Sequence, residues 1–181
     1  MTTPAPNDGY LNAATTVELL QSAATQHGSR PFIVDGTEVL SFTDTLNRAR
    51  ELGIALRHDG FQKGGRAAIW APNSWQWIVA ALGVHWAGGT LVTLNTRYKG
   101  AEAAAILRAS GADTLFVVDH FLGVDYPAQL TGEDCPALTR VITMIHDPAG
   151  RDISPSTAQS QSLAAALAKG AELLQSNDPS I

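Results

Sequence analysis

The sequence has a single cysteine, Cys135, among its 181 residues. One cysteine cannot form an internal disulfide, and such usage is typical of a reducing compartment, so the cytoplasm is the expected location. A catalytic thiol would need a basic neighbour that lowers its pKa. The sequence cannot show such a neighbour in space, and we interpret Cys135 as an inert thiol.

Positive charge is scarce and is not clustered. Lys and Arg number 12 against 17 Asp and Glu, which gives a formal net charge of -5. Nucleic acids and anionic membranes select for clustered Lys and Arg, so we expect neither as the main partner. The most apolar run, residues 77–94, is interrupted by His85 and a glycine pair, and a soluble helix-to-strand unit explains it better than a membrane span.

The amino-terminal stretch lacks the charged-then-apolar pattern of a secretory signal. Residues 1–13 are therefore predicted to be a flexible tail, and residues 14–181 to be folded.

The motifs of the common catalytic sites are missing as well. There is no G-x-S-x-G elbow, no G-x-x-x-x-G-K-[ST] loop and no Cys or His pair at metal-ligand spacing. The acidic pair Glu133-Asp134 lies in a Gly- and Pro-containing stretch, where such carboxylates mostly face solvent. The histidines are scattered singly: His27, His58, His85, His120 and His146. Residue chemistry alone therefore points to no active site.

Gly88-Gly89 raises the question of a phosphate-binding loop. Such a loop needs the order strand, glycine, helix. Here an apolar helix pattern precedes the glycines and a β-branched run, Thr90 to Leu94, follows them. The reversed order predicts a helix C-cap, and Arg97 and Lys99 beyond it are interpreted as solvated loop charges.

Strands and helices alternate along the rest of the chain. Asp35-Gly36 between two β-rich runs predicts a hairpin, Ser41 with Asp44 a capping box, and Asn73 with Gln76 a second cap. Near-continuous apolar strands separated by helices predict an α/β fold with a parallel sheet covered on both faces. The predicted helices are Thr16–Gln26, a helix from the Ser41 cap to about Asp59, Trp75–Trp86, Gly100–Arg108 and Ser162–Leu174; the strands are Phe32–Phe42 (hairpin), Arg66–Ala71, Thr90–Leu94, Thr114–Val118 and Arg140–Ile145; residues 147–162 are predicted to be a loop.

Four tryptophans surround one strand-to-helix unit: Trp70, Trp75, Trp77 and Trp86. Core packing is the simplest role for them. The alternative is a ligand-facing ring on the turn, for which Trp75 is the candidate.

The run from Leu40 to Asp119 resembles the amino-terminal part of the adenylate-forming, AMP-binding enzymes, which include acyl-CoA synthetases, luciferases and peptide-synthetase adenylation domains. Two segments carry the resemblance in the family's order: LSFTDTLNRARELGIALRHDGFQKGGRAAIWAPNSWQWIVAALGVHWAGG and LVTLNTRYKGAEAAAILRASGADTLFVV. Together with FLGVDY, they are most similar to actinobacterial CoA ligases that activate the bicyclic propanoate of steroid degradation, and a fatty-acyl-CoA ligase is the alternative. The sequence departs from the family pattern at Gly65, Ala67 and Thr93, where Asp, Val and Pro are usual.

The resemblance implies an ATP-dependent ligase that joins a carboxylic acid to CoA through an acyl-adenylate, with ATP, CoA and Mg as cofactors. It also implies that residues 14–181 are the first part of the AMP-binding N-terminal domain, with the family's phosphate loop and terminal lysine beyond residue 181. No catalytic, cofactor-binding or metal-binding residue is therefore expected on this chain, and the chain alone is expected to be inactive. A non-catalytic interaction or regulatory module is the alternative of a different class, and a homo-oligomer is a candidate assembly.

Overall fold

The computed structural model describes residues 13–145 and 160–176. The helices are α1 (Thr16–His27), α2 (Phe42–His58), α3 (Trp75–Trp86), α4 (Gly100–Ser110) and α5 (Leu163–Ser176). The strands are β1 (Pro31–Asp35), β2 (Glu38–Ser41), β3 (Arg66–Trp70), β4 (Thr90–Thr93), β5 (Thr114–Val118), β6 (His120–Phe121), β7 (Val124–Asp125), β8 (Arg140–Met144) and β9 (Ser160–Ser162).

A five-stranded sheet with the order β4-β3-β5-β8-β9 forms the centre, and all its pairings are parallel. In the register of the inner strands, Ala68 of β3 pairs with Val92 of β4 on one side and with Leu115 of β5 on the other. Every residue of β5 is buried, as expected for a strand covered on both faces. The predicted α/β class with a parallel sheet is confirmed.

Helix α2 packs across α3 through two reciprocal close approaches. Gly53 of α2 lies against the side chain of Trp86, and Gly83 of α3 lies against the side chain of Leu52. Since neither glycine has a Cβ, each leaves room for the large side chain of the other helix.

The predicted start of α2 is confirmed. Ser41 Oγ accepts a hydrogen bond from the Asp44 N–H at 3.0 Å, and the Asp44 carboxylate accepts one from the Ser41 N–H at 3.0 Å. Two hydrogen bonds from Ser41 hold the pKa of the Asp44 carboxyl below its ordinary value, and the bond from the Ser41 side chain has a larger effect than the bond from its backbone.

The predicted C-cap at the glycine pair is also confirmed. The N–H of Gly88, which has a φ of 78°, donates to the His85 carbonyl, and the N–H of Gly89 donates to the Val84 carbonyl. Strand β4 follows at once, so this turn closes a helix and opens a strand.

The hairpin prediction was right, but the turn is shifted by one residue. Asp35 pairs with Glu38, so Gly36 and Thr37 form the connection. The prediction of a cap by Asn73 and Gln76 was wrong. Ser74 is the N-cap residue of α3, and its Oγ accepts from the Trp77 N–H at 3.1 Å, because Ser74 rather than Asn73 directly precedes the first turn.

The predicted loop over residues 147–162 was wrong at its end. Ser160–Ser162 forms strand β9 beside β8, with Ser162 opposite Thr143, whereas residues 146–159 lie outside the described part of the chain. A three-residue polar strand at a sheet edge has no apolar pattern from which it could be predicted. Helix α5 accordingly begins at Leu163 and reaches Ser176, two residues past the predicted end.

A small hairpin of β6 and β7 was not predicted either. Leu122 and Gly123 connect its strands, and both have positive φ angles, of 50° and 77°. Because leucine rarely adopts this conformation, the sequence signal for a turn was weak. Within residues 13–145 and 160–176, no helix combines the length and apolarity that crossing a membrane requires.

Candidate site at the carboxyl edge of the sheet

The carboxyl ends of β3, β4 and β5 meet at one edge of the sheet. The chain leaves β3 for β4 on one side and leaves β5 for β8 on the other, so the connections diverge between β3 and β5. Ligands of open α/β sheets bind in the crevice at such a topological switch point.

A cavity of about 370 Å³ opens at this edge. This volume falls within the range of small-molecule sites, roughly 300–1,000 Å³. The turn after β3, the loop after β4 and the first turn of α3 supply most of its wall. The lining residues are Ala71, Pro72, Asn73, Trp77, Thr93, Leu94, Asn95, Thr96 and Phe121.

Two buried aromatic residues hold the loop after β4 in place. Trp70, at the end of β3, donates from Nε1 to the Asn95 carbonyl at 3.1 Å, and the Tyr126 hydroxyl donates to the Thr96 carbonyl at 2.8 Å. The two rings meet edge to face with centroids 4.8 Å apart. Burial raises the pKa of Tyr126, so the hydroxyl keeps the proton that it donates. These two hydrogen bonds thus fix the backbone of the loop after β4.

The same loop makes its own turn before α4 begins. Asn95 Oδ1 accepts from the Arg97 N–H at 2.9 Å, and the Glu102 carboxylate accepts from the Lys99 N–H at 2.8 Å. Arg97 and Lys99 are exposed, as predicted for solvated loop charges. Gly100 lies so close to the Gln129 carbonyl that a Cβ there would collide with it.

A buried carboxylate follows β5 at the same edge. Asp119 is 1% exposed, and its Oδ1 atom has no hydrogen-bond partner among the described residues. His120 lies between two carboxylates, with Nδ1 3.5 Å from Asp119 Oδ1 and Nε2 3.7 Å from Asp125 Oδ2. His120 thus lies within 4 Å of one carboxylate at the end of β5 and of another on the β6–β7 hairpin.

Trp75, the candidate for a ligand-facing ring, does not line this cavity, whereas Trp77 does. The Arg48 guanidinium lies 4.7 Å from the centre of the Trp75 ring, and the Trp75 N–H donates to Asp35 Oδ2 at 2.9 Å. Trp75 thus ties α3 to α2 and to the β1–β2 hairpin.

The remaining sequence candidates lie away from this cavity. Glu133 and Asp134 stand in the loop before β8 and do not line it, and burial is the main cause that raises the pKa of the Cys135 thiol above its ordinary value. His146 lies outside the described residues. Across the described ranges, no three His, Cys, Asp or Glu side chains are placed to hold a metal ion.

The cavity can bind a ligand through its rings and amides, but none of the described residues that line it has a titratable side chain. Trp77 and Phe121 offer apolar faces, while Asn73 and Asn95 offer hydrogen-bond donors and acceptors. Binding and orientation are therefore the chemistry that these residues can supply.

Comparisons with known proteins agree on one family. The profile of the AMP-binding enzyme family matches residues 20–180. The chain is 40% identical over 131 residues to the 3-[(3aS,4S,7aS)-7a-methyl-1,5-dioxo-octahydro-1H-inden-4-yl]propanoyl:CoA ligase of Rhodococcus jostii, a match that covers 70% of this chain and 25% of that protein. It is 35% identical over 106 residues to a long-chain-fatty-acid–CoA ligase of Salmonella typhimurium, covering 58% of this chain and 19% of that protein.

Among solved structures, the anthranilate CoA ligase AuaEII in complex with anthranoyl-AMP matches with a TM-score of 0.72. The match covers 85% of this chain and 28% of that one at 21% identity, which shows a shared fold. The chain thus spans between 19% and 28% of the length of these relatives. Since the family profile covers nearly the whole chain, from residue 20 to residue 180, this protein belongs to the AMP-binding enzyme family.

Proposed function

We propose that this chain is the first part of the N-terminal domain of an AMP-forming carboxylic acid:CoA ligase. In the reaction, a carboxylate oxygen attacks the α-phosphorus of ATP and pyrophosphate leaves, and the sulfur of CoA then attacks the carbonyl carbon and AMP leaves. The family match over residues 20–180 is the observation that carries the proposal. Residues 14–181 then form the first part of the AMP-binding domain, and the phosphate loop follows them.

This portion of the ligase contributes a wall of the substrate crevice and no catalytic group. Phosphoryl transfer needs several converging donors around the phosphates, and the carboxyl-edge cavity is lined by rings, amides and hydroxyls instead. The 181-residue chain alone should accordingly be inactive. ATP, CoA and Mg would be bound mainly by later segments.

The substrate that we favour is a steroid-derived bicyclic propanoate, and a fatty acid is the alternative. The support is the higher identity and wider coverage of the Rhodococcus jostii relative, 40% over 131 residues against 35% over 106. A rigid fused-ring acid would also lose less conformational entropy than a flexible alkyl chain on binding against Trp77 and Phe121.

The test is an assay of the protein encoded by the complete reading frame that contains residues 1–181. We expect pyrophosphate release that depends on the acid, thioester formation that depends on CoA, and a higher kcat/KM for the bicyclic propanoate than for decanoate. Trp77→Ala should raise KM for the acid, whereas Tyr98→Ala, which truncates an exposed ring that does not line the cavity, should leave KM for the acid unchanged. A complete protein that is inert with every carboxylic acid would contradict the proposal.

A non-catalytic interaction module is the second candidate, because the β1–β2 hairpin and α1 expose apolar side chains together. Leu19, Phe32, Val34 and Val39 are between 42% and 69% exposed. Light scattering on the purified 181-residue chain would support this candidate if it showed a defined oligomer that Val34→Lys disrupts. A monodisperse monomer would count against a homo-oligomer.

A further inference from the structure

A second cavity lies at the opposite edge of the sheet from the carboxyl-edge cavity. It has a volume of about 580 Å³ and lies between the carboxyl-terminal parts of α2 and α3. From there the chain enters the amino ends of β3 and β4. The two cavities are thus on different sides of the molecule, and the proposed ligase reaction does not use the second one.

The second cavity is surrounded by positive charge in a chain whose net charge is negative. Arg50, Arg57 and Lys63 line it together with His58, and none of the described residues in its wall is acidic. Two carboxylates adjoin lining residues in the sequence. Asp59 is already bound to Lys169 and to His58 Nδ1, and Glu51 has Arg48 as its positively charged neighbour. We call this site, lined by Arg50, Arg57, His58, Lys63 and Trp86, the basic cavity.

Two of the permanent cations have no side-chain partner in the part of the chain that the structure describes. Within the described ranges, no side-chain hydrogen bond or ion pair of Arg50 or Lys63 is found, whereas Arg57 Nη1 donates to the Phe61 carbonyl at 3.3 Å. Both Arg50 and Lys63 are exposed and are free to close on an anion.

Compensation of helix dipoles does not account for these charges. Cations favour the last turn of a helix, but Arg50 lies two turns before the end of α2, and Lys63 lies beyond that end. Backbone hydrogen bonds already close the last turn of α2, from the Gly60 N–H to the Arg57 carbonyl and from the Phe61 N–H to the Leu56 carbonyl. The helix dipole therefore accounts for the positions of Arg57 and His58 in the last turn, but not for those of Arg50 and Lys63.

The inner wall of the basic cavity is apolar and fixed in place. It includes Ile54 and the half-buried indole of Trp86. A Cβ on Gly53 would lie 2.5 Å from Trp86 Cδ1, so the glycine is what allows the ring to lie against α2. A cationic rim around an aromatic wall suits a ligand with an anionic head and an apolar body.

We propose that the basic cavity binds an organic phosphate monoester, with the phosphate on Arg50, Arg57 and Lys63 and the apolar body on Trp86. Three permanent cations match a dianionic phosphate better than a singly charged carboxylate. The ester could be a soluble metabolite or the headgroup of a lipid, since both present the same chemistry.

The test is a titration of the protein with phenyl phosphate, followed by the NMR signal of the Trp86 indole N–H, which Trp86→Phe identifies. We expect saturable shifts of that signal, weakening with salt, and little response to phenol. Replacing both free cations (Arg50→Gln with Lys63→Gln) should weaken binding by at least about tenfold. The matched control, Arg97→Gln with Lys99→Gln, removes two exposed cations at the opposite edge and should leave binding unchanged.

Vesicles distinguish the two sources of the phosphate. Co-sedimentation with phosphatidic acid vesicles, but not with phosphatidylcholine vesicles, that is lost in the Arg50/Lys63 variant assigns the site to a lipid headgroup. Binding of phenyl phosphate without vesicle binding assigns it to a soluble ester. The proposal is overturned if the Trp86 signal does not move, or if the Arg50/Lys63 variant binds phenyl phosphate as tightly as the parent protein.

Discussion

Replacing Gly83 by alanine should destabilise the protein, although alanine is the better helix former. On propensity alone, Gly→Ala inside a helix stabilises by about 1 kcal/mol. In α3, however, the new Cβ would lie 2.6 Å from Leu52 Cδ2, 2.7 Å from Leu52 Cγ and 2.8 Å from Leu52 Cβ. Favourable carbon–carbon contacts are at about 3.5–4.0 Å, so α2 and α3 must separate by nearly an ångström.

The expected cost of this overpacking is about 1–3 kcal/mol in the free energy of unfolding. For a chain of this size the midpoint of thermal unfolding should fall by about 2–12 °C. Circular dichroism or differential scanning fluorimetry of the 181-residue chain measures it. The matched control is Ala105→Gly on the exposed face of α4, which tests propensity without the helix crossing and should cost about 1 kcal/mol.

A double-mutant cycle separates the contact from other effects. Leu52 is fully buried, and Leu52→Ala should itself cost about 2–5 kcal/mol. In that background the contacts of the new methyl group with Cδ2 and Cγ are gone and only the 2.8 Å approach to the Cβ of residue 52 remains, so Gly83→Ala should cost clearly less than in the parent protein. An unchanged or raised unfolding midpoint for Gly83→Ala, or the same decrease in both backgrounds, would refute the reasoning.

Three further outcomes are expected. Asp44→Ala should cost about 1 kcal/mol near neutral pH through the lost cap; because the folded pKa of Asp44 is lowered, this difference should be present above about pH 4 and shrink as the pH falls through that pKa, as thermal melts across pH would show. Tyr126→Phe leaves the Thr96 carbonyl without its donor and should cost about 1–3 kcal/mol in urea unfolding, whereas Tyr98→Phe, on an exposed ring, should cost little. Lys169→Met should raise the pKa of Asp59; burial raises this pKa, but the hydrogen bonds from Lys169 and His58 outweigh burial and hold it below its ordinary value, and carboxyl NMR titration measures the change.

The sequence predicted those parts of the fold whose signals are local. The buried run of β5, the capping box of α2 and the glycine turn after α3 each depend on a few neighbouring residues, and each is confirmed. Strand β9 depends instead on pairing with β8, a partner that no residue of Ser160–Ser162 reveals. The local sequence pattern predicts a backbone conformation that neighbouring residues determine. It does not predict a conformation that pairing with a distant strand imposes.

The cavities were beyond prediction for a related reason. The carboxyl-edge cavity brings together turns that follow three different strands, and the basic cavity joins α2, the loop after it and the end of α3. Arg50, Lys63 and Trp86 have no common spacing in the sequence. Only the crossing of α2 and α3 through Gly53 and Gly83 places them around one space.

The choice between Trp75 and Trp77 shows how far helix periodicity can go. At 3.6 residues per turn, two positions that are two residues apart point about 200° away from each other. Periodicity therefore implies that only one of these rings can face the carboxyl edge, and it cannot say which one. Contacts with the β1–β2 hairpin and with α2 determine which ring it is. Asp35 accepts a hydrogen bond from the Trp75 N–H, and Arg48 of α2 lies on the Trp75 ring. These contacts fix the rotation of α3, so that Trp77 faces the cavity. The residue that sets the ligand-facing wall is thus placed by contacts on the other side of its helix.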